Sequence, residues 1–449
     1  MTVDSSSSTT ATTTGIHVAI IGGGITGVML ALGLSARGVS YTLYERGPGF
    51  AEIGAGIGFS PNAERALKVV DPRVYAVYKQ VASTTGDEED YFTWVDGHRS
   101  NEVVARLLIG VDAFQGGRRS DFLEAWSSLI PSERTKFGKE VESVIPRWND
   151  GKAVLRFKDQ SVEEADIVIG CDGIRSRVRQ IVLGEANPAA YPEYTNKFCF
   201  RALLPMDKAR AVLGEARTLN RYMYNGPNAH VLTYAVANST LLNALFVISD
   251  PNPWPIERHT ALGTKQEAVD AYADWHPVIR GLIDLLPDKL EKWAIFDMFD
   301  KPAPYYNVGN VALAGDAAHA SGPHLGSGAG FGIEDSLVLA TVLKAADDEI
   351  RAQRWEKSKT QICRDALIAY NNERFRRDQW LPGATRKAVE LFQWQDERGS
   401  DPEQFLPMIG HLYHKIWDND IDKMVKIAVA EFKGVVAKQP EPSLLCSDF

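Results

Sequence analysis

From Ile16 the chain alternates short apolar runs with glycine-rich turns. The run HVAII stops at Gly22, a stretch of helical spacing follows, and a second run, YTLYE, ends at Glu45. Strand, glycine turn, helix, strand is the pattern of a βαβ unit. A second glycine-rich stretch, IGAGIGFSPNA, leads into a short helix within 51–70. Near 118–131, Arg118-Arg119-Ser120-Asp121 opens an amphipathic helix whose apolar face is Phe122, Leu123, Trp126 and Leu129. A β-rich stretch then closes on the buried run ADIVIG at 165–170. Over 196–250 the pattern changes to long strands (FCFRALL, RYMYN, HVLTYAV, LNALFVI) separated by turn residues, which predicts an antiparallel sheet in a second domain. Glycine-rich signals return at 308–342, with a helix expected from about Ile333, and from about 360 the pattern is helical and charged.

These elements predict an α/β fold, α+β overall. A discontinuous Rossmann-like nucleotide-binding domain spans 16–80, 105–190 and 300–360, and a sheet domain spans 81–104 and 191–299. Residues 361–449 form a C-terminal helical region, long enough to support a homodimer, and residues 1–15 are expected as a disordered tail.

Composition narrows the function. The chain has 449 residues, 45% hydrophobic and 24% charged, with a formal net charge of −9 and no Lys/Arg stripe. Nucleic acid and anionic membranes both need a basic face, so neither is expected as a partner. Four scattered cysteines with no CxxC pair read as reduced thiols in a cytoplasmic protein. MTVDSSSSTTATTT lacks the apolar core of a signal peptide, and no run reaches membrane-spanning length. Cys446 stands four from the end, but Asp448 fits poorly with prenylation. The nine histidines show no metal-ligand spacing, so no metal is expected.

Three segments carry chemistry. Gly22-Gly23-Gly24-Ile25-Thr26-Gly27 follows a strand, and Glu45 ends the next strand at the distance expected of an acid that binds ribose hydroxyls. Gly22 permits the tight turn, Gly24 lets a diphosphate approach backbone, and Gly27 lets helix and strand pack closely. This segment alone does not choose between FAD and NAD. Gly315-Asp316-Ala317-Ala318-His319-Ala320, followed by Pro323 and by Gly326-Ser327-Gly328-Ala329-Gly330, supplies an acid for a hydroxylated chain such as ribityl. It also supplies backbone amides and a helix start for a flavin ring. A plain NAD dehydrogenase has no need of it. Third, Cys171-Asp172-Gly173 makes a turn before Arg175, Arg177 and Arg179.

Taken in chain order, GGGITG with Glu45, then CDGIRSRVR, then GDAAHA with Pro323 and the glycines after it, the three segments resemble the group A flavoprotein monooxygenases related to para-hydroxybenzoate and salicylate hydroxylases, from Ile16 to about residue 430. AEIGAGIGF, FCFRALLPMDKA, GPNAHVLTYAVAN and WAIFDMFDKPAPYY are similar to the fungal phenol-dearomatising members of tropolone, azaphilone and sorbicillinoid pathways. The resemblance implies a glutathione-reductase-type FAD fold, with NADPH or NADH as transient reductant and O2 as co-substrate. The cofactor contacts expected are Gly22, Gly24, Gly27, Glu45, Arg46, Gly58 and Arg119, and then Asp172, Asp316, Pro323, Gly326, Gly328 and Ala329. It further implies that Arg201 and Tyr234 hold a phenolic substrate, with His230, Pro323 and His324 as further substrate contacts. The loop PHLGSGAGFG departs from the family pattern at Leu325 and Phe331.

The expected reaction is attack of an ionised polyketide-type resorcinol aldehyde or ketone on a C4a-hydroperoxyflavin. A quinol results where an alkyl group blocks return to aromaticity. Two rival readings are a salicylate-type hydroxylase that restores aromaticity and a non-catalytic flavin-fold binding protein. His319 is expected to serve the backbone, and Trp254 to anchor a loop.

Overall fold

The computed structural model describes residues 15–50, 56–82, 91–110, 114–147, 151–237, 239–255 and 258–438. The expected tail up to residue 14, Cys446 and the start of AEIGAGIGF lie outside the described residues.

The first strand, His17–Ile21, pairs in parallel with Ser40–Glu45 on one side and Ile167–Gly170 on the other. Val311–Leu313 and Asn307–Val308 extend one edge of this six-stranded sheet, and Thr135–Phe137 extends the other. Its central strands are apolar throughout because both faces are covered: Ile20, Leu43, Ile169 and Leu313 are wholly buried. Helix Ile25–Ala36 packs between this sheet and the long helix Gly328–Ala352, which brings residues three hundred positions apart together. A small antiparallel sheet, Val141–Pro146, Ala153–Phe157 and Val162–Ala165, sits before the strand 167–170. The long helix starts at Gly328 rather than near Ile333, because glycine backbone can begin a turn that apolar spacing does not announce.

The second sheet has eight strands, and its centre is Glu193–Pro205, Leu241–Ser249, Ala229–Val236 and Arg221–Gly226. It is antiparallel apart from one pair: Arg221–Gly226 lies parallel to Tyr91–Asp96. That strand and its partner, Val103–Leu108, arrive from an earlier excursion, which continues to Leu108 rather than ending at 104. One face of the sheet packs Phe200, Ala244 and Phe246 against helices Met206–Leu213, Lys265–Ala271 and Pro277–Asp284. The other face looks toward the first domain. Helices Lys359–Phe392, Pro402–Trp417 and Ile421–Ala437 complete the chain. Leu381, Phe392, Phe405 and Tyr413 from the first two close one end of the space between the domains, against Phe92 and Trp94. No helix among the described residues is long and apolar enough to cross a membrane.

A charge cluster, fully buried apart from Arg377, ties the long helix to helix 359–392. The Arg374 guanidinium donates to Glu334 Oε2 (2.6 Å), Asp335 Oδ1 (2.8 Å) and Asp378, while Arg377 donates to both oxygens of Glu334. Asp335 also accepts the Gly315 amide (2.8 Å) and pairs with His319 Nε2 at 2.7 Å. His319 therefore acts through its side chain, where the sequence pointed to its backbone. Burial alone would lower its pKa, but Asp378 and Asp335 outweigh burial and raise it to about 9. His319, Asp335 and Asp378 converge as metal ligands would, but the Arg374 guanidinium already bonds both carboxylates.

Removing one partner of such a cluster leaves unpaired buried charge, at a cost of about 3–5 kcal/mol. Arg374→Met should therefore lower the thermal midpoint by several degrees, read by circular dichroism. The pKa of His319 is raised above its ordinary 6.5, so its stabilisation is complete below that value and is lost as pH rises through about 9. Melting temperatures measured between neutral pH and that point should fall, and fall less steeply in His319→Gln. Parallel profiles would clear His319 as the source.

Candidate functional site

The three glycine-rich segments meet on one cavity of about 860 Å³, near the top of the range for small-molecule sites. It lies between the parallel sheet and the inner face of the eight-stranded sheet.

The nucleotide end is built from backbone. Gly22 has φ +105°, and a Cβ there would lie 2.5 Å from the Cys171 carbonyl oxygen, so only glycine passes between the adjacent strands. A Cβ on Gly27 would overlap the Gly22 carbonyl oxygen, which is why helix and turn can touch. Gly24 differs: a Cβ there would meet nothing within 4 Å, because it faces the cavity. Helix Ile25–Ala36 begins at Gly24 with no capping side chain and no acid in its first turn. Helix Gly328–Ala352 likewise begins at the cavity, without a side-chain cap or a first-turn acid. Two helix starts thus direct unsatisfied amides and partial positive charge into one space, as an anionic cofactor requires.

The acids divide into two kinds. Asp316 is exposed to the cavity, where a ribityl chain would need it. Glu45 lines the cavity and accepts the amides of Gly23 (2.7 Å) and Gly47 (2.6 Å), so it also shapes the glycine turn. Asp172 accepts the Ser176 hydroxyl and the amides of Arg177 (2.7 Å) and Val178 (3.1 Å), which starts helix Arg177–Leu183; burial still raises its pKa. Arg46, Gly58, Arg119, Pro323, Gly326 and Ala329 all line the cavity. Of the expected cofactor contacts only Gly27 stands outside the lining, packed behind Gly22.

The sheet end carries side-chain chemistry. Arg201 is exposed at the wall, its guanidinium 4.9 Å from the Trp293 ring centroid. Tyr234 lies one strand beyond the neighbouring Leu241–Ser249, and its hydroxyl packs so closely on Gly56 that a Cβ there would overlap it. Burial, opposed by Arg201 and Arg221, holds the Tyr234 pKa up at about 12, so at neutral pH it is a hydrogen-bond donor. Leu325 lines the cavity, whereas Phe331 is wholly buried beneath Arg374 and Arg377.

His324 lines the cavity, with a buried Nδ1 that has no hydrogen-bond partner. His230 does not line it; its ring sits behind, 5.6 Å from that of His324. Gln393 Nε2, which donates to the Val247 carbonyl (3.3 Å), also faces His230 Nδ1 at 3.3 Å, so the His230 proton sits on Nε2. Burial and Lys197 push the His230 pKa down to about 3. Burial, then His230, Lys197 and Arg386, hold His324 well below its ordinary value. Both rings are neutral hydrogen-bonding groups rather than bases. Trp254 anchors its loop, donating to the Arg258 carbonyl (2.7 Å).

Two wall residues escaped the sequence reading. Arg221 is 4% exposed, donates to the Phe114 carbonyl and stacks 5.2 Å from that ring. Asn243, also 4% exposed, stands across the ladder from Tyr234. The available signal was a charged or amide residue in an otherwise apolar strand, as in RYMYN and LLNALFVIS.

Known proteins resemble this chain over most of its length. Residues 120–361 match the FAD binding domain family. The FAD-dependent monooxygenase pigN of Monascus ruber is 46% identical to this chain, covering 93% of it and 97% of the relative. The salicylate hydroxylase asL1 of Sarocladium schorii is 38% identical, covering 93% and 91%. Among solved structures, a salicylate hydroxylase substrate complex matches with a TM-score of 0.81 at 28% identity, covering 92% of this chain and 98% of that one.

The glycine cradle predicts a contrast between two conservative variants. Gly24→Ala, with open space around the new methyl, should melt like the parent protein but carry markedly less FAD, read as flavin absorbance per protein. Gly27→Ala should lose folded protein itself, read as soluble yield and melting temperature.

Proposed function

The chain belongs to the FAD binding domain family and is an FAD-dependent monooxygenase of the salicylate hydroxylase type; from that premise we propose that it uses NAD(P)H and O2 to hydroxylate an ionised phenol. The substrate class is a resorcinol aldehyde or ketone of polyketide type, and the product is a dearomatised quinol where the attacked carbon carries an alkyl group. The observation that carries this reading is that Arg201 and Tyr234 share one cavity wall opposite the bare helix starts.

Bound FAD supplies electron transfer from NAD(P)H and the activation of O2. The side chains supply the rest. Gly22, Gly24 and the start of helix 25–36 take the diphosphate, Glu45 the ribose, Asp316 the ribityl chain, and Gly328 and Ala329 the ring. Arg119 and Arg46 add positive charge at the same end.

Electrophilic attack on the ring needs a phenolate. A guanidinium in contact lowers a partner's pKa by about 1–3 units. A phenol bearing a carbonyl starts below the roughly 10 of tyrosine, so contact with Arg201 leaves it ionised at neutral pH. Tyr234, held protonated, donates to the same oxygen and fixes the ring's orientation. Arg201 can do this because its resting partners are weak: the Trp293 face, an exposed cation–π pair worth only about 0.5–1 kcal/mol, and the Cys199 sulfur. The neutral His324 and the Pro323 turn complete the wall.

Arg201→Lys replaces a planar fork with a point charge. It should lower kcat/KM on the order of 10²-fold, as loss of an oxyanion donor does, with FAD content unchanged. Tyr234→Phe should slow turnover without loss of FAD. Full activity in Arg201→Lys, with an alkylated resorcinol ketone as substrate, would remove Arg201 from the reaction. A product that keeps its aromatic ultraviolet band and gains one oxygen would identify the rearomatising hydroxylase instead.

A further inference from the structure

Asn243 occupies a position where an amide is difficult to explain by folding alone. It lies in the strand Leu241–Ser249 between Leu242 and Ala244, both wholly buried. Its own side chain points the other way, into the cavity wall. Its Nδ2 is buried and has no hydrogen-bond partner. A buried donor left unpaired is destabilising, and an apolar residue of the same size would avoid that cost.

The one acceptor beside it is the Tyr234 hydroxyl oxygen, which the Asn243 side chain approaches closely enough to oppose the rise in the Tyr234 pKa. Across the ladder stand Leu203 on one side and Tyr234 on the other. The next residue along the same face is Leu245, itself paired with Arg201. The Tyr234 oxygen also packs against Gly56, and it leaves Nδ2 without a fully formed hydrogen bond. The carboxylates that line the cavity, Glu45, Glu140, Asp172 and Asp316, all come from the nucleotide-binding side. The polar residues that line the cavity from the eight-stranded sheet are Arg201, Arg221, Tyr234 and Asn243, and none of them is a carboxylate. A wall of this kind offers hydrogen-bond donors and needs oxygens that accept.

We propose that Asn243 Nδ2 donates to a second oxygen of the substrate, a carbonyl oxygen distinct from the phenolate that Arg201 and Tyr234 hold. Asn243 is then the residue that selects acyl phenols over alkyl phenols. This assignment rests on the phenol-hydroxylase reading above. Its physical basis is that a site built to hydrogen-bond a polar group rejects the analogue lacking it far more strongly than an apolar pocket discriminates by size.

The test compares 2,4-dihydroxyacetophenone with 4-ethylresorcinol on FAD-loaded protein. Dissociation constants are read from perturbation of the flavin spectrum, and kcat/KM from NADPH oxidation. The unmodified protein should prefer the ketone by roughly tenfold or more, the scale of one hydrogen bond of about 1.4 kcal/mol. Asn243→Leu should cut the ketone-to-ethyl preference by roughly tenfold, leaving only what the lower phenol pKa of the ketone supplies, while the ethyl compound changes by less than about threefold and the melting temperature is held or raised. Asn243→Asp keeps the shape but sets an acceptor against an acceptor, so it should disfavour the ketone still more and retain FAD. It also serves if the leucine variant does not fold. An unchanged ketone-to-ethyl ratio in either folded variant, or an equal loss of both compounds, overturns the role of Asn243 while leaving the phenol reading in place. If neither compound perturbs the flavin or accelerates NADPH oxidation in the unmodified protein, the phenol reading fails and the Asn243 assignment fails with it.

Discussion

Two helices begin bare, and they begin at the same cavity. A helix start leaves amides without partners and carries partial positive charge, and globular proteins usually answer both with a capping side chain or an acid in the first turn. At Gly24 and at Ser327–Gly328 this protein does neither. It can do so because glycine brings the backbone to the cavity surface, where an anionic, oxygen-rich cofactor would meet the need from outside. Glu45 and Asp172 show what the nearby acids are doing meanwhile: both hold turns in place through backbone amides, and Asp316 is left facing the cavity.

Holding the second helix start in position falls to the buried cluster around Arg374. Glu334 and Asp335 lie in the helix that starts at Gly328, and Arg374, Arg377 and Asp378 in the helix that follows. Asp335 reaches back to the Gly315 amide and to His319, so the cluster also locks the turn that presents Asp316. Buried ion pairs are a weak source of net stability but define geometry sharply, because only one arrangement satisfies all their partners. Here that geometry sets the distance between an acid and a helix start on either side of one loop.

The substrate side follows a different logic. Its wall is a sheet whose alternate residues face the helices or the cavity, so each strand contributes chemistry at every second position. The cations, the high-pKa phenol of Tyr234 and the amide of Asn243 collect on one face, while Phe200, Ala244 and Phe246 build the core on the other. The result divides the cavity by kind: its nucleotide end is built mainly from backbone, and its sheet end from side chains.

The sequence by itself determined the nucleotide-binding half. The demands there are local: a positive φ at Gly22, a close approach at Gly27, an apolar strand on either side. Residue type answers each within a few positions, so the motif can be read without knowing the fold. The eight-stranded sheet was legible as strands but not as a surface. Register decides which side chains share a face, and it is set by pairings between residues tens to hundreds of positions apart. That is why Asn243 beside Tyr234, Arg221 beneath Phe114, and the parallel strand Tyr91–Asp96 appear only in three dimensions. The same holds for His230, which sequence placed against the substrate and tertiary packing sets behind His324. Burial, which fixes the protonation of His230, His324 and Tyr234, belongs to the assembled core and to no single segment.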